Sequence, residues 1–215
     1  MSKCEPLVAP FDKDWSKMSS KIESLIEQAY EQFDQMNAQD PTSIEVAGVA
    51  APRELTLALW LFEWVNHLQP QASVALRLAS RCQHLMRFSV PRSDYPEGRV
   101  GYLKWRKDLS KRHADLATKV LFELGFEPSV IEQVRKINLK QELTTDPDCQ
   151  AMEDALCLSF LQHEYTEFSQ KYDDDKVIDI VQKTWRKMSK EGQRHALSIT
   201  LEGRAQALVL RALSS

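Results

Sequence analysis

The chain predicts an all-α protein, a single globular domain of about eight or nine helices. Three observations predict it. Apolar residues recur at intervals of three and four through almost the whole length, the spacing that sets them on one face of a helix. No segment sustains the period-two alternation of a half-buried strand. Glycine is scarce, with 6 in 215 residues, which disfavours a turn-rich β architecture. Apolar residues make up 43% of the chain and charged residues 27%, spread rather than blocked, enough for a sizeable core and unlike a long disordered segment.

The elements follow in order. Met18, Ile22, Leu25, Ile26, Ala29, Phe33 and Met36 form the stripe of a first helix over 15–38, closed by Pro41 and the turn-like QDPTS. Residues 43–50 read as a connector. Pro52 suits a helix's first turn and opens a second helix that runs to about His67. Pro70 opens a third, carrying Ala72, Ala75, Leu76, Ala79, Leu85 and Met86. Pro91, Pro96 and Gly98 mark a loop over 89–98. A long helix is expected over 100–124, with Gly125 as its C-terminal cap. Pro128 starts FEPSVIEQVRKINLK, and Asp146-Pro147 starts the helix that carries AMEDALCLSFLQHEYTEF. Shorter helices are expected over 174–188, over 190–199 with Ser189 as N-cap, and over 203–213. Residues 1–50 read as an N-terminal helical extension packed on a domain of residues 51–215.

No apolar run approaches the roughly 20 residues that cross a bilayer. LTLALWLFEWV at 55–65 is short and carries Glu63. The start of the chain has no apolar signal-peptide core, so no membrane partner and a cytoplasmic location are expected. Cys4, Cys82, Cys149 and Cys157 form no C-x-x-C pair, and Cys82 and Cys157 fall in apolar helical patterns, as buried free thiols do.

The net charge of −3 is unevenly distributed. Residues 77–113 hold 10 Lys/Arg against 3 Asp/Glu, while the segments on either side are acidic. A basic segment inside an acidic protein is a candidate surface for an anion, or else a salt-bridged helix face. Within it Arg77, Arg81 and His84 fall within about 60° on a helical wheel, and Arg87 lies further round. Guanidinium groups grip phosphate bidentately, and histidine serves as base, acid or metal ligand. The loop adds Arg92, Asp94, Tyr95 and Arg99, and the long helix adds Lys104. His113 lies beside that helix's buried stripe. Glu153-Asp154 sits in an apolar helix, where a carboxylate needs a cation, a metal or several donors. Lys183, Arg186, Lys187 and Lys190 form a later basic cluster, as the dipole at a helix C-terminus favours. No phosphate-binding glycine loop and no G-x-S-x-G is present, so any phosphate must be held by side chains and helix ends.

The blocks ASRCQHLMRFSVPRSDYPEGRVGYLKWR, KRHAD, MEDALCLSFLQHEY and KVIDIVQKTWRKMS, in that order over about 52–200, resemble a family known only as a domain of unknown function. Its members occur in bacteria, plants and fungi, and some carry a glutamyl-tRNA synthetase label. The chain is far too short for such a synthetase and lacks its nucleotide-binding α/β pattern. KMSKEG at 187–192 follows a helix, outside the context of a synthetase signature. More remotely, the order His84, His113, Asp154 resembles HD-type phosphohydrolases, all-helical enzymes that hold a divalent metal with a His, a His-Asp pair and a distant Asp. Here the pair reads His113-Ala114-Asp115, and two positions on a helix are about 200° apart.

That resemblance implies an HD-like helical architecture and metal-dependent hydrolysis of a phosphorylated small molecule or nucleotide. His84, His113 and Asp154 would be catalytic and, with Glu153, would hold a divalent ion such as Mn, Co, Ni, Fe or Zn. Glu54 is an alternative oxygen ligand. Arg81, Arg87, Arg92, Tyr95 and Lys104 would bind the substrate. Two other readings stay open: a non-catalytic module for a phosphorylated metabolite or, less well suited to the net charge, RNA; and a structural interaction domain. The sequence sets no oligomeric state.

Overall fold

Apolar spacing decides where the chain coils. The structure, a computed structural model, describes residues 11–143 and 145–214, with side chains from residue 20 onward. Its α-helices are α1 (Phe11–Asn37), α2 (Arg53–Leu68), α3 (Val74–Cys82), α4 (Gly98–Glu123), α5 (Pro128–Asn138), α6 (Pro147–Ser159), α7 (Tyr165–Lys171), α8 (Asp174–Lys187), α9 (Lys190–Ala196) and α10 (Gly203–Leu213). The protein is all-α, with one short hairpin, β1 (Ser43–Val46) and β2 (Val49–Pro52), paired antiparallel with Ser43 opposite Pro52. The expected extension begins at residue 1, and its first ten residues lie outside the described ones.

The helix ends have local causes. Asp146 accepts hydrogen bonds from the amides of Asp148 and Cys149, satisfying two of the four donors a helix start leaves free. Ser189 does the same for the amide of Gly192. Gly125 takes φ +81° just past α4, a left-handed conformation that glycine adopts at no steric cost. At α2 the N-cap is Pro52, which offers no side-chain acceptor, and the buried carboxylate of Asp40 substitutes by accepting from the Glu54 amide at 3.0 Å.

Two expectations are corrected. The connector at 43–50 contains the hairpin. Ala47 and Gly48 both have positive φ, 50° and 82°, the two-residue turn whose twist suits antiparallel strands. The third helix does not run through Met86. It ends at Cys82, because Met86 adopts φ 53° and its amide is held by the buried side chain of Asn37, at the end of α1, at 2.9 Å. Two 3₁₀ turns, Arg87–Ser89 and Arg92–Asp94, then carry the chain to α4.

The core has two parts. Ile26 and Phe33 of α1, Leu61 and Val65 of α2, Leu76 and Leu78 of α3, Leu121 of α4, Ile137 of α5 and Met152 of α6 form the first. Leu158, Leu161, Tyr165, Val181 and Leu208 form the second, built from the end of α6 with α7, α8 and α10. Trp64 and Leu68 of α2 pack against both, and α2 lies along α6. Each fully buried large side chain contributes roughly 1.5–3 kcal/mol. The described cysteines Cys82, Cys149 and Cys157 are buried free thiols. No helix among the described residues is long and apolar enough to cross a membrane.

Candidate functional site

A cleft of about 910 Å³ opens where α2, α4, α6 and α8 meet the turn after α3 and the segment after α5. Apolar residues such as Leu57, Leu61, Leu109 and Phe160 form part of its wall. Its charged lining is strongly biased. Arg53, Arg87, Arg106, Lys140, Lys183, Arg186 and Lys187 face three carboxylates, Glu54, Glu153 and Glu164.

These cations arrive from five parts of the chain. Arg53 opens α2 and pairs with Glu164 at 2.8 Å. Glu164 closes a π turn, Phe160–Glu164, that interrupts the helix between α6 and α7. Lys140 follows α5 in a left-handed conformation, φ 55°, and reaches Glu153 at 2.5 Å. Lys187, in the last turn of α8, lies 3.4 Å from the other oxygen of Glu153. Arg87 and Arg106 pair with no carboxylate among the described residues. Their guanidinium groups lie over Trp105, at 5.1 Å, and Tyr102, at 5.9 Å.

His84 and His113 both line the cleft, with ring centroids 6.1 Å apart. His84 belongs to the turn that follows α3, not to the helix, which is why it swings toward α4. Its pKa is held well below the ordinary value, first by burial and then by Arg87, His113, Lys140 and Arg106. Burial also lowers His113 to about 4, with Arg87 and Arg112 adding to the effect and the Leu85 carbonyl opposing it. His113 Nδ1 lies 2.7 Å from that carbonyl oxygen. A carbonyl only accepts, so Nδ1 carries the hydrogen and the neutral ring leaves Nε2 with a free lone pair. Both imidazoles are therefore uncharged in a strongly positive setting.

Glu54, also in the cleft, is buried, 5% exposed. Burial raises its pKa to about 7, against the pull of Arg87 and Arg53. Glu153 is equally buried, yet Lys140 and Lys187 overcome the desolvation and hold it below the usual carboxylate range.

Of the residues expected in the site, His84, His113, Arg87 and Glu153 come together. The others do not reach the cleft lining, and each has a visible reason. Asp154 is one position from Glu153 and so points about 100° away around α6. Its oxygens accept from the Ser189 amide at 2.8 Å, the Ser189 hydroxyl at 2.5 Å and Gln150 Nε2 at 3.0 Å. Gly192 packs so closely on this carboxylate that an added Cβ would meet Asp154 Cγ at 2.7 Å. Arg81 pairs with Asp34 and packs against the rings of Tyr30 and Phe62, which meet edge to face beside it. Arg92 donates to the carbonyls of Tyr95 and Pro96 and so ties the loop before α4. The Tyr95 hydroxyl meets Asp108 at 3.1 Å. Lys104 is exposed on α4.

The four expected metal donors are thus divided between two sides of α6. Asp154 is saturated by hydrogen-bond donors and Glu153 by two ammonium groups. No group of three or more His, Cys, Asp or Glu among the described residues could hold a metal ion. The donor set does not fit an HD-type metal centre.

Three cleft residues carry little signal in the sequence, Arg53, Arg106 and Lys140, while Lys183, Arg186 and Lys187 come from the basic cluster expected at the end of α8. Glu54 did carry one. It is an acid at the start of an apolar helix, RELTLALWLFEWV, the same pattern that singles out Glu153.

Nothing among curated proteins and nothing among solved structures matches the chain. The model of one family, described as a domain of unknown function, DUF4202, matches residues 27–209, and the chain belongs to that family.

Proposed function

We propose that the cleft binds a phosphorylated small molecule. One observation carries the reading: Arg87 and Arg106 stand in the cleft with no carboxylate in ion-pair contact, beside two uncharged imidazoles, His113 buried and His84 half-buried. A site with this positive excess is incomplete without an anion. Guanidinium groups match the geometry of phosphate oxygens, and a partly enclosed wall strengthens their attraction. The volume, about 910 Å³, suits a metabolite-sized ligand. A concave site of this size in a chain of net charge −3 suits RNA poorly, since RNA binding draws on an extended basic surface.

Hydrolysis of that ligand is favoured by a second observation. The neutral His113 ring has a free Nε2, and Glu54, with a pKa of about 7, holds a proton for much of the time at neutral pH. The first can accept a hydrogen bond from attacking water and orient it, and the second can give a proton to a departing oxygen. Because the donor set does not fit a metal, no step is routed through one.

Calorimetric titration with inorganic phosphate and a panel of phosphorylated metabolites tests the binding reading. Saturable binding is expected, and Arg87→Ala should weaken it by roughly tenfold or more. If no phosphorylated compound binds at millimolar concentration, the reading fails. Release of inorganic phosphate from the same panel, with and without added Mn, Co or Ni, tests hydrolysis. No release under any of these conditions would leave a binding module.

A further inference from the structure

Three buried oxygen acceptors on the inner side of this cleft have nothing to accept. They are Glu54 Oε2, Gln83 Oε1 and Asn138 Oδ1. Glu54 and Gln83 line the cleft, and each is at least nine-tenths buried, at 5% and 4% exposure. Asn138 stands directly behind, where its carbonyl accepts from Gln83 Nε2 at 3.4 Å and from the Ser110 hydroxyl at 3.2 Å. The Gln83 amide is oriented by that contact. Turned over, it would set Oε1 against the Asn138 carbonyl, acceptor against acceptor. The orphaned Gln83 oxygen is therefore a property of the site.

Buried polar groups in native proteins are nearly always paired, and an exception in a cleft marks a place where a partner is missing. The partner needed here is a donor. It cannot be a second phosphate, which offers further acceptors and would be repelled by an ionised Glu54. The last torsion of Glu is broad, so Glu54 turns an oxygen toward a ligand at little cost, while Gln83 is held in place by its contact with Asn138.

We propose that the ligand of this cleft carries, besides its phosphate, an uncharged part rich in hydrogen-bond donors, hydroxyl or amino groups, which Glu54 and Gln83 recognise. The proposal rests on the phosphate-binding reading and sharpens it. The ligand has two unlike ends, an anion met by Arg87 and Arg106 and a neutral donor face met by the two acceptors. Sugar monophosphates and nucleoside monophosphates share this chemistry.

The test compares affinities of the full chain for inorganic phosphate, ribose 5-phosphate and the four common nucleoside monophosphates. The wild-type protein should prefer at least one organic monophosphate over inorganic phosphate by about tenfold or more. A gain already present with ribose 5-phosphate assigns the donors to sugar hydroxyls. A gain seen with nucleotides alone assigns them to the base. Gln83→Leu should reduce the preference while leaving the affinity for inorganic phosphate within about twofold, and Glu54→Leu should reduce the preference as well. A wild-type protein with no preference overturns the proposal, as do folded variants that keep it.

A measurement on the unaltered protein guards against variants that do not fold. Donors on the ligand hold the Glu54 carboxylate in its ionised form. At pH 7, binding an organic monophosphate should therefore release up to about half a proton more than the second ionisation of its own phosphate accounts for, read from calorimetry in buffers of different ionisation enthalpy. Proton release fully accounted for by the ligand's phosphate overturns the proposal. Failure of inorganic phosphate and of every other anion to bind is a separate result, and it removes the anion site itself.

Discussion

The arginines of the seam between α1 and α3 are paired with carboxylates, whereas Arg87 and Arg106, in the cleft a few residues further on, form no ion pair among the described residues. At the seam Arg77 grips Glu23 with both nitrogens, at 2.9 and 2.8 Å, and Arg81 pairs with Asp34 while lying 5.1 Å from the centre of each of two aromatic rings. In the cleft Arg87 and Arg106 each lie over an aromatic ring, and Glu54 acts on Arg87 only through space, without an ion-pair contact. Arg81 and Arg87 are six positions apart in the chain, and the left-handed turn at Met86 separates their fates. The difference teaches that a basic stripe is not itself a site. Where carboxylates complete the cations, the charge is structural. Where the fold withholds them, it is available to a ligand.

The same contrast is repeated within α6, and breaking it there should have the largest effect. Glu153 and Asp154 are similarly buried, at 3% and 5% exposure, but Asp154 organises the start of α9 and touches no cleft residue's charge. Asp154→Ala leaves the Ser189 donors buried beneath Gln150 and Gly192. The expected cost is about 3–5 kcal/mol, a fall in Tm of roughly 10 °C. Phosphate affinity should stay within about twofold of wild type. A folded variant with normal Tm and lost affinity would instead put Asp154 in the site.

Glu54 comes next. Its folded pKa, about 7, lies above its ordinary value of 4.5, so the folded state binds the proton more tightly than the unfolded chain does. Its contribution is fully present below pH 4.5, declines as pH rises toward 7, and stays lost above that. Glu54→Gln removes the titration. Relative to wild type the variant should gain stability between these two values, up to about 3 kcal/mol at pH 8, in denaturant titrations run across the range. His113 works in the opposite sense. Its folded pKa is lowered to about 4, so its contribution is present above pH 6.5 and is lost as pH falls toward 4. Glu54 partly masks that acid loss in the wild-type protein, and the variant should show it as a steeper decline below pH 6.5. A variant whose curve runs parallel to wild type would mean that Glu54 is ionised in the folded state as it is in water.

The two arginines test the comparison directly. Arg81→Ala strands Asp34 and removes the guanidinium packed beside Tyr30 and Phe62, at an expected cost of about 2–3 kcal/mol with no change in phosphate affinity. Arg87→Ala should do the reverse, weakening phosphate binding by roughly tenfold while stability moves by less than about 1 kcal/mol. If both variants lose stability alike and neither loses affinity, seam and cleft are not different kinds of site.

How much of this was legible in the sequence depends on how far a residue's partner lies along the chain. Helix starts at Pro128, Pro147 and Ser189 follow from capping chemistry within three residues, and the structure has them where the sequence places them. The end of α3 was not legible, because the residue that holds Met86 out of the helix is Asn37, 49 positions upstream. The hairpin was missed because its strands are four residues long and half exposed, too short for an alternation to show. In the site, the apolar surroundings of Glu153 and Asp154 announced two buried carboxylates. Periodicity could not say which of them faced the cleft, since that depends on where α8 and α9 pack. Arg81 was expected beside His84 because both were placed on one helix. The helix ends between them, and the carboxylate that claims Arg81 lies 47 positions away.

The smallest effect is expected at the outer edge of the seam, and it sharpens the comparison by separating exposed pairing from buried pairing. Arg77 and Glu23 form a bidentate pair, yet Glu23 has 48% of its side-chain surface open to water. An exposed pair pays side-chain entropy and is screened, so its net worth is about 0.2–1 kcal/mol. The Arg77 hydrogen bond holds the Glu23 carboxyl below its ordinary value of 4.5, so the contribution is present above that value and is lost as pH falls through the lowered one. Glu23→Gln should therefore lower Tm by no more than about 3 °C at low salt and neutral pH. In 1 M salt, where the Debye length is about 3 Å, the difference from wild type should vanish. Arg81→Ala, whose pair is shielded by two rings, should keep most of its cost in the same salt. If both deficits disappear together, the inner pair is as open to solvent screening as the outer one, and the rings around Arg81 pack against it without sheltering its charge.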